Sequence, residues 1–215
     1  MRVKSFTVNP FNENTYIIVE NGSALLVDPG FYKDSEYSVC QKVLDDLSAK
    51  LHGIVLTHAH VDHILGVQRV KDDYDVPVFL NHTDLYLWNN VSSQALMFGL
   101  QINNFDFMPE PLPVQEQWEI GPFTFDILFT PGHSPEHVSL YSPEYELVIA
   151  GDSLFKESIG RTDLYKGDLE TLKGSIREKL YVLPDQTQVL PGHGSATTIG
   201  HEKVNNKIVK AKEGA

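Results

Sequence analysis

The segment "IVLTHAHVDHILG", residues 54–66, constrains this chain more than any other. His58, His60, Asp62 and His63 fall within six residues, directly after a β-branched apolar run. Imidazoles and a carboxylate crowded beside a buried strand are costly unless something positive sits among them. A metal ion is the direct answer, provided the rest of the chain supplies the remaining ligands.

The ends of the other apolar runs supply them. "ALLV" runs into Asp28-Pro29-Gly30, "DILF" into Thr130-Pro131-Gly132-His133, "ELVIA" into Gly151-Asp152, and "TQVL" into Pro191-Gly192-His193. Each short β-branched run reads as a strand, and ligand sites of α/β sheets lie beyond the carboxyl ends of strands. Glycines beside His133 and His193 permit the tight turns that would aim these imidazoles. The candidate ligands are His58, His60, Asp62, His63, His133, Asp152 and His193. One tetrahedral ion takes about four ligands, so seven suit two ions with a bridging carboxylate. Nitrogen and oxygen donors without thiolate suit Zn, Fe or Mn, and a pair of ions would clamp a hydroxide between them. His52, His82 and His201 lie outside these motifs and read as structural or surface residues.

The remaining pattern predicts an α/β protein with sheet packed on sheet and helices outside. "VKSFTV", "TYIIVE" and "ALLVD" open the chain as strands. A helix is expected from about Asp34 to Lys50, striped by Val39, Cys40, Val43, Leu44 and Leu47. A second is expected from about Asp62 to Asp73. A third spans about Asp168 to Leu180, capped by Asp168 and striped by Leu169, Leu172, Ile176 and Leu180. The stretch 91–118 is too irregular for a strand and too apolar for a solvated loop. It reads either as a lid or as a packed excursion over the core.

A length of 215 residues suits one domain. Seventeen Lys and Arg against 29 Asp and Glu leave a net charge of −12, which disfavours nucleic acid and anionic membrane surfaces as partners. Cys40 is the single cysteine, so no intrachain disulfide forms, and its place in a helical stripe makes it a core residue rather than a nucleophile. No apolar run approaches a membrane span and the N-terminus carries no signal-like apolar core, so a cytoplasmic location is expected. The signatures of P-loop, dinucleotide-binding, serine-elbow and H-E-x-x-H chemistries do not occur.

"THAHVDH", "VDPG", "TPGH", "AGD" and "LPGHG", in that order across residues 28–193, resemble the motifs of the metallo-β-lactamase superfamily. The resemblance implies a four-layer αββα sandwich over residues 1–215, with the site at one edge. It implies that His58, His60 and His133 hold a first ion, that Asp62, His63 and His193 hold a second, that Asp152 bridges them, and that Asp28 stands behind and orients the ligands. Within the superfamily, "NPFNENTY", "TPGHSPEHVSLY", "GDSLFKESIGRTDL" and "PGHGSATTIGHE" look like the short bacterial branch of the glyoxalase II group. That implies hydrolysis of S-lactoylglutathione or related acyl-thioesters by a metal-bridging hydroxide that Asp62 orients.

Two departures from the long glyoxalase II enzymes stand out. Their C-terminal glutathione-binding helices would have to follow His193, where the sequence runs only from Gly194 to Ala215. Their glutathione-contacting lysine and tyrosine give way to Gly160-Arg161-Thr162-Asp163. Arg161 then either meets a substrate carboxylate in the lysine's place or pairs with a neighbouring acid. The alternative reading is persulfide dioxygenase, a mononuclear iron enzyme of the same superfamily using the positions of His58, His133 and Asp152. Its last motif usually reads P-A-H-D, against P-G-H-G here, which favours the hydrolase. Lactonase or β-lactamase activity would be a sister hydrolysis, because the metal centre alone does not select the acyl group.

Overall fold

Strands buried on both faces lose the alternation of half-exposed strands and become continuous apolar runs. "ENTYIIVE" and "SALLV" are of this kind, and every residue from Glu13 to Val19 is buried. The computed structural model describes residues 1–211. Its first sheet holds β1 (Arg2–Val8), β2 (Glu13–Glu20), β3 (Ser23–Val27), β4 (Lys50–Val55), β5 (Val78–Leu80) and β6 (Glu110–Pro111), in that spatial order. The first three are antiparallel, and β3 to β6 run parallel. Helices α1 (Asp34–Asp46), α2 (Val61–Ile64), α3 (Val67–Tyr74), α4 (Tyr86–Asn89) and α5 (Val91–Met97) fill the connections.

The second sheet holds β7 (Gln117–Ile120), β8 (Phe123–Phe129), β9 (Val138–Ser142), β10 (Leu147–Gly151), β13 (Gln188–Pro191) and β14 (Thr197–Thr198), with β10 parallel to β13. A small hairpin of β11 (Leu154–Phe155) and β12 (Ser158–Ile159) follows β10. Helix α6 (Leu169–Ser175), continued by a π-helical stretch at Ile176–Leu180, and helix α7 (Ile199–Asn205) complete the described elements. Chain contacts divide these residues into two compact units. One comprises residues 1–112 with 119–123, and the other comprises 113–118 with 124 onward.

Several local expectations need correction. In α1 the buried residues are Tyr37, Cys40 and Leu44, while Val39 is exposed. The stripe runs i, i+3, i+7, and Val39 lies outside it. Cys40 is core as expected, and burial pushes its thiol up to about 12. The helix expected over 62–73 is two helices, broken where Gly66 packs against Phe31. His52, read as structural or surface, lies inside β4, and its Nε2 meets Ser23 Oγ at 3.1 Å. In the helix after Asp168, Leu172, Ile176 and Leu180 are buried but Leu169 faces solvent. Asp168 caps it as expected, accepting from Thr171 N at 2.7 Å. Through residue 112, the 91–118 stretch is a packed excursion. Trp88 stacks on Phe105 and Phe107 at 4.3 and 5.5 Å, while Leu96 and Met97 at the end of α5 remain exposed.

The topology brings strand ends together by unit. Because β3 and β4 are parallel and in register at Leu26–Ile54 and Val27–Val55, they end side by side. In the second unit β8, β10 and β13 point the same way, β9 lying antiparallel to both β8 and β10. The chain leaves β8 through Gly132 at φ +124, and a Cβ there would lie 2.3 Å from Leu172 N. Gly132→Ala should therefore lower stability by roughly 2–5 kcal/mol, combining backbone strain with overpacking, as read by chemical denaturation. A loss below about 1 kcal/mol would mean that the turn relaxes freely.

Candidate metal centre

In the first unit, β4 delivers Thr57, His58, Ala59 and His60 beyond its buried end, and the single turn of α2 carries Asp62 and His63. His58 and His63 are fully buried and His60 nearly so. The His58 ring lies 4.2 Å from His63 and 4.9 Å from His60, centroid to centroid. Asp28, with φ +47 at the end of β3, organises this cluster. Its carboxylate accepts from Thr57 N at 2.7 Å, Thr57 Oγ1 at 2.6 Å and His63 Nδ1 at 3.0 Å. Since the Thr57 hydroxyl proton goes to Asp28, its oxygen accepts from His58 Nδ1 at 3.0 Å. Both imidazoles are thus held as Nδ1–H tautomers by the network around them. Their Nε2 lone pairs are the ones a cation would meet. This is how metal-ligating histidines are ordinarily held from behind. Asp62 is partly buried, its Oδ2 lies 3.8 Å from His63 Nε2, and its backbone carbonyl accepts from Asn9 Nδ2 at 2.9 Å.

In the second unit, His133 donates from Nδ1 to the Arg161 carbonyl at 2.7 Å. That turns its Nε2 toward Asp152, 3.4 Å from Oδ2, and His193 Nε2 lies 3.6 Å from the same oxygen. These separations are long for hydrogen bonds. Two donors on one tetrahedral ion with bonds of about 2.0–2.2 Å lie about 3.3–3.6 Å apart. One carboxylate oxygen between two imidazoles is the arrangement a bridging ligand needs. The donors are imidazole and carboxylate throughout, and the only thiol is buried in α1. The residues present fit divalent metal.

Arg161 itself is engaged elsewhere. Its guanidinium makes a bidentate pair with Asp163 at 2.7 and 2.8 Å, both side chains exposed, and holds that carboxyl down at about 2. His82 meets the Pro109 carbonyl and His201 pairs with Glu157, both apart from the ligand clusters.

Sequence reasoning missed Glu13, Thr15 and His137. Glu13 is fully buried, and burial raises its pKa well above the carboxylate range, with His63 opposing. The Thr15 hydroxyl lies 2.9 Å from Glu13 Oε2 and 2.8 Å from the Asp28 carbonyl, both of which can accept from it. The available signal was a glutamate opening a strand that is apolar on both faces. His137, buried immediately before β9, accepts from Asp152 N at 3.0 Å. Nothing in its one-dimensional spacing marks it.

The profile of the metallo-beta-lactamase superfamily matches residues 8–193. The chain belongs to this superfamily. It is 37% identical over 215 residues to the probable metallo-hydrolase YqgX of Bacillus subtilis, covering 97% of this chain and 98% of that protein. It is 36% identical to the hydroxyacylglutathione hydrolase GloC of Haemophilus influenzae, covering 99% and 100%. Among solved structures it resembles the BLEG-1 B3 metallo-beta-lactamase, with TM-score 0.87, 36% identity and coverage of 97% and 99%. It also resembles a di-iron-bound form of TTHA1623, with TM-score 0.85, 35% identity and coverage of 96% and 100%. The α/β fold with two sheets is therefore the metallo-β-lactamase fold the motifs pointed to. Among the described residues no helix is long and apolar enough to cross a membrane.

Thr57→Val keeps the shape of Thr57 but removes the hydroxyl that links His58 to Asp28. It should lower metal affinity roughly 10- to 100-fold in a chelator competition with the circular dichroism spectrum unchanged. Wild-type affinity in this variant would show that the link does not orient His58.

Proposed function

We propose that the chain is a metal-dependent thioester hydrolase acting on S-lactoylglutathione or related small acyl-thioesters. The observation that carries this reading is the Asp152 carboxylate oxygen lying between His133 Nε2 and His193 Nε2, which suits a dinuclear hydrolytic site. It is supported by the similarity to a hydroxyacylglutathione hydrolase along the whole chain and to a di-iron-bound protein. In this reading His58, His60 and His133 would hold one ion, Asp62, His63 and His193 would hold the other, and Asp152 would serve both. Zinc is the expected metal, with iron or manganese as alternatives. The single metallo-β-lactamase-like domain works in the cytoplasm. Its net charge of −12 disfavours nucleic acid and anionic membranes as partners.

When bound, divalent ions supply Lewis acidity, lowering the pKa of water toward neutrality and stabilising charge that develops on an acyl oxygen. The chain's residues do the positioning. Asp28 and Thr57 fix the proton on Nδ1 of His63 and His58, and the Arg161 carbonyl does the same for His133. Asp62, held through its carbonyl by Asn9, offers a carboxylate that orients the attacking water and accepts its proton. Arg161, if its pair with Asp163 opens, offers a guanidinium to a substrate carboxylate. The thiol half of the substrate leaves as thiolate.

Elemental analysis after loading should approach two equivalents of metal per chain. Side-by-side assays with acyl-thioesters, a glutathione persulfide and a β-lactam should show the thioester as the preferred substrate. Saturation at one iron with persulfide oxidation would replace this reading by the dioxygenase, and preferred β-lactam turnover by a lactamase. Asp62→Ala should cost roughly 10²–10⁴-fold in kcat with the fold retained, while His52→Ala should leave kcat and KM unchanged. Near-normal turnover in a metal-loaded Asp62→Ala protein would remove the role assigned to Asp62.

A further inference from the structure

The polar ring behind Asp152 carries an inference that rests on the reading of Asp152 as a metal ligand and deepens it. Strand β10 is fully buried and pairs with β13 until Ile149, where the register shifts, so that Ile149 faces Leu190 and Gly151 faces Pro191. Ala150 is the extra residue, and such bulges re-aim the side chains that follow. The bulge, together with the left-handed Gly151 at φ +50, takes the Ala150 carbonyl and the Asp152 N–H out of the ladder. Both groups are buried, so each needs a partner.

The Ala150 carbonyl is met locally, by Ser153 Oγ at 2.7 Å and Ser153 N at 3.2 Å, while the Asp152 N–H turns to a side chain of the neighbouring segment. Asp152 N donates to His137 Nε2 at 3.0 Å. A backbone N–H can only donate, so Nε2 accepts, and the ring proton sits on Nδ1. Nδ1 lies 2.9 Å from Thr130 Oγ1, which must accept. The Thr130 hydroxyl then donates to Ser139 Oγ at 3.0 Å, and Ser139 in turn faces the Ala150 carbonyl at a longer 3.4 Å, beside its shorter partner Ser153 Oγ. The chain of bonds leaves the backbone at Asp152 and returns to it two residues earlier. His137, Thr130 and Ser139 are fully buried. Thr130 also begins the turn that carries His133, and its own N–H donates to the His137 carbonyl at 3.0 Å. The same ring therefore indexes the loops of two ligands.

A buried polar ring costs desolvation that an apolar core would avoid, and it is uniquely ordered only when every member is satisfied. Here the donors run in one direction, from the Asp152 N–H through His137 and Thr130 to Ser139. We propose that His137 is a positioning residue. By accepting the Asp152 N–H it sets the direction of the Asp152 carboxylate and hence the affinity and geometry of the metal centre, without touching metal or substrate.

The test compares His137→Leu, which removes the acceptor, with His137→Gln, whose Oε1 is as many bonds from Cβ as Nε2. Gln restores the acceptor but not the Nδ1–H donor. Zinc affinity is measured by chelator competition, the cobalt-loaded proteins by visible absorption, and stability by thermal unfolding. His137→Leu should bind zinc roughly 10- to 100-fold more weakly and alter the cobalt spectrum. His137→Gln should recover most of the affinity although the ring is broken at Thr130. Wild-type affinity and spectrum in His137→Leu, or equal weakness in the two variants, would overturn the proposal. Should His137→Leu fail to fold, Thr130→Val decides. It removes the acceptor that holds the imidazole, a several-fold loss of zinc affinity is expected, and unchanged affinity overturns the proposal. Failure of the wild-type protein itself to take up zinc or cobalt would sink the metal reading as a whole, a result distinct from tight wild-type binding that His137 does not influence.

Discussion

The Asp28 carboxylate is the interaction on which the first half of the site depends. It accepts the Thr57 N–H, the Thr57 hydroxyl and His63 Nδ1. Those three bonds stabilise a buried anion that would otherwise be costly. They also decide where protons sit on His58 and His63, and so which nitrogen lone pairs point inward. The parallel pairing of β3 with β4 makes this reachable, because Asp28 N donates to the Val55 carbonyl and so lies beside the residue after Leu56. Strand order, left-handed backbone at Asp28 and imidazole tautomer are successive consequences of one register.

The second half uses a different device for the same end. His133 is oriented by a backbone carbonyl, that of Arg161, and Asp152 is oriented through its own backbone by His137. Neither adds a charge. That economy matters where Asp28, Asp62 and Asp152 already contribute three carboxylates to the metal-binding motifs and their surroundings. Glu13 illustrates the constraint, since burial above all, with the charges of Asp28 and Asp62, raises its pKa. Divalent cations would supply the compensating positive charge to such motifs.

Much of this was legible in the sequence. Apolar runs ending in Asp, His or Gly-His show strand ends directly, because a ligand-type residue after a β-branched run has few other reasons to be there. The elements that were misread involve faces rather than existence. Val39 and Leu169 fit an apolar period but face solvent, since exposed apolar residues are common on folded surfaces. His52, read as a structural or surface residue, is a polar residue within a strand. Glu13 and His137 were invisible for the reason that makes them interesting. A buried polar residue looks, in one dimension, like a surface one, and only its partners in space distinguish the two.

The Gly160-Arg161-Thr162-Asp163 segment shows how a motif's chemistry can lie in its backbone. Read as side chains, it offers a guanidinium to the substrate. The folded chain uses it differently. A Cβ on Gly160 would lie 1.9 Å from the Asp152 carbonyl oxygen and 3.1 Å from His133 Nδ1, so only glycine lets this strand of chain press against both ligands. That close approach carries the next carbonyl, Arg161 O, to His133 Nδ1 at 2.7 Å. The arginine and aspartate side chains, bonded to each other at the surface, brace the turn whose glycine and carbonyl meet the site. A substrate carboxylate would have to compete with Asp163 for a bidentate partner already satisfied in both N–H bonds. Recognition by Arg161 therefore requires that the turn hold its shape without that pair, and the contact of its backbone with His133 and Asp152 is what would hold it.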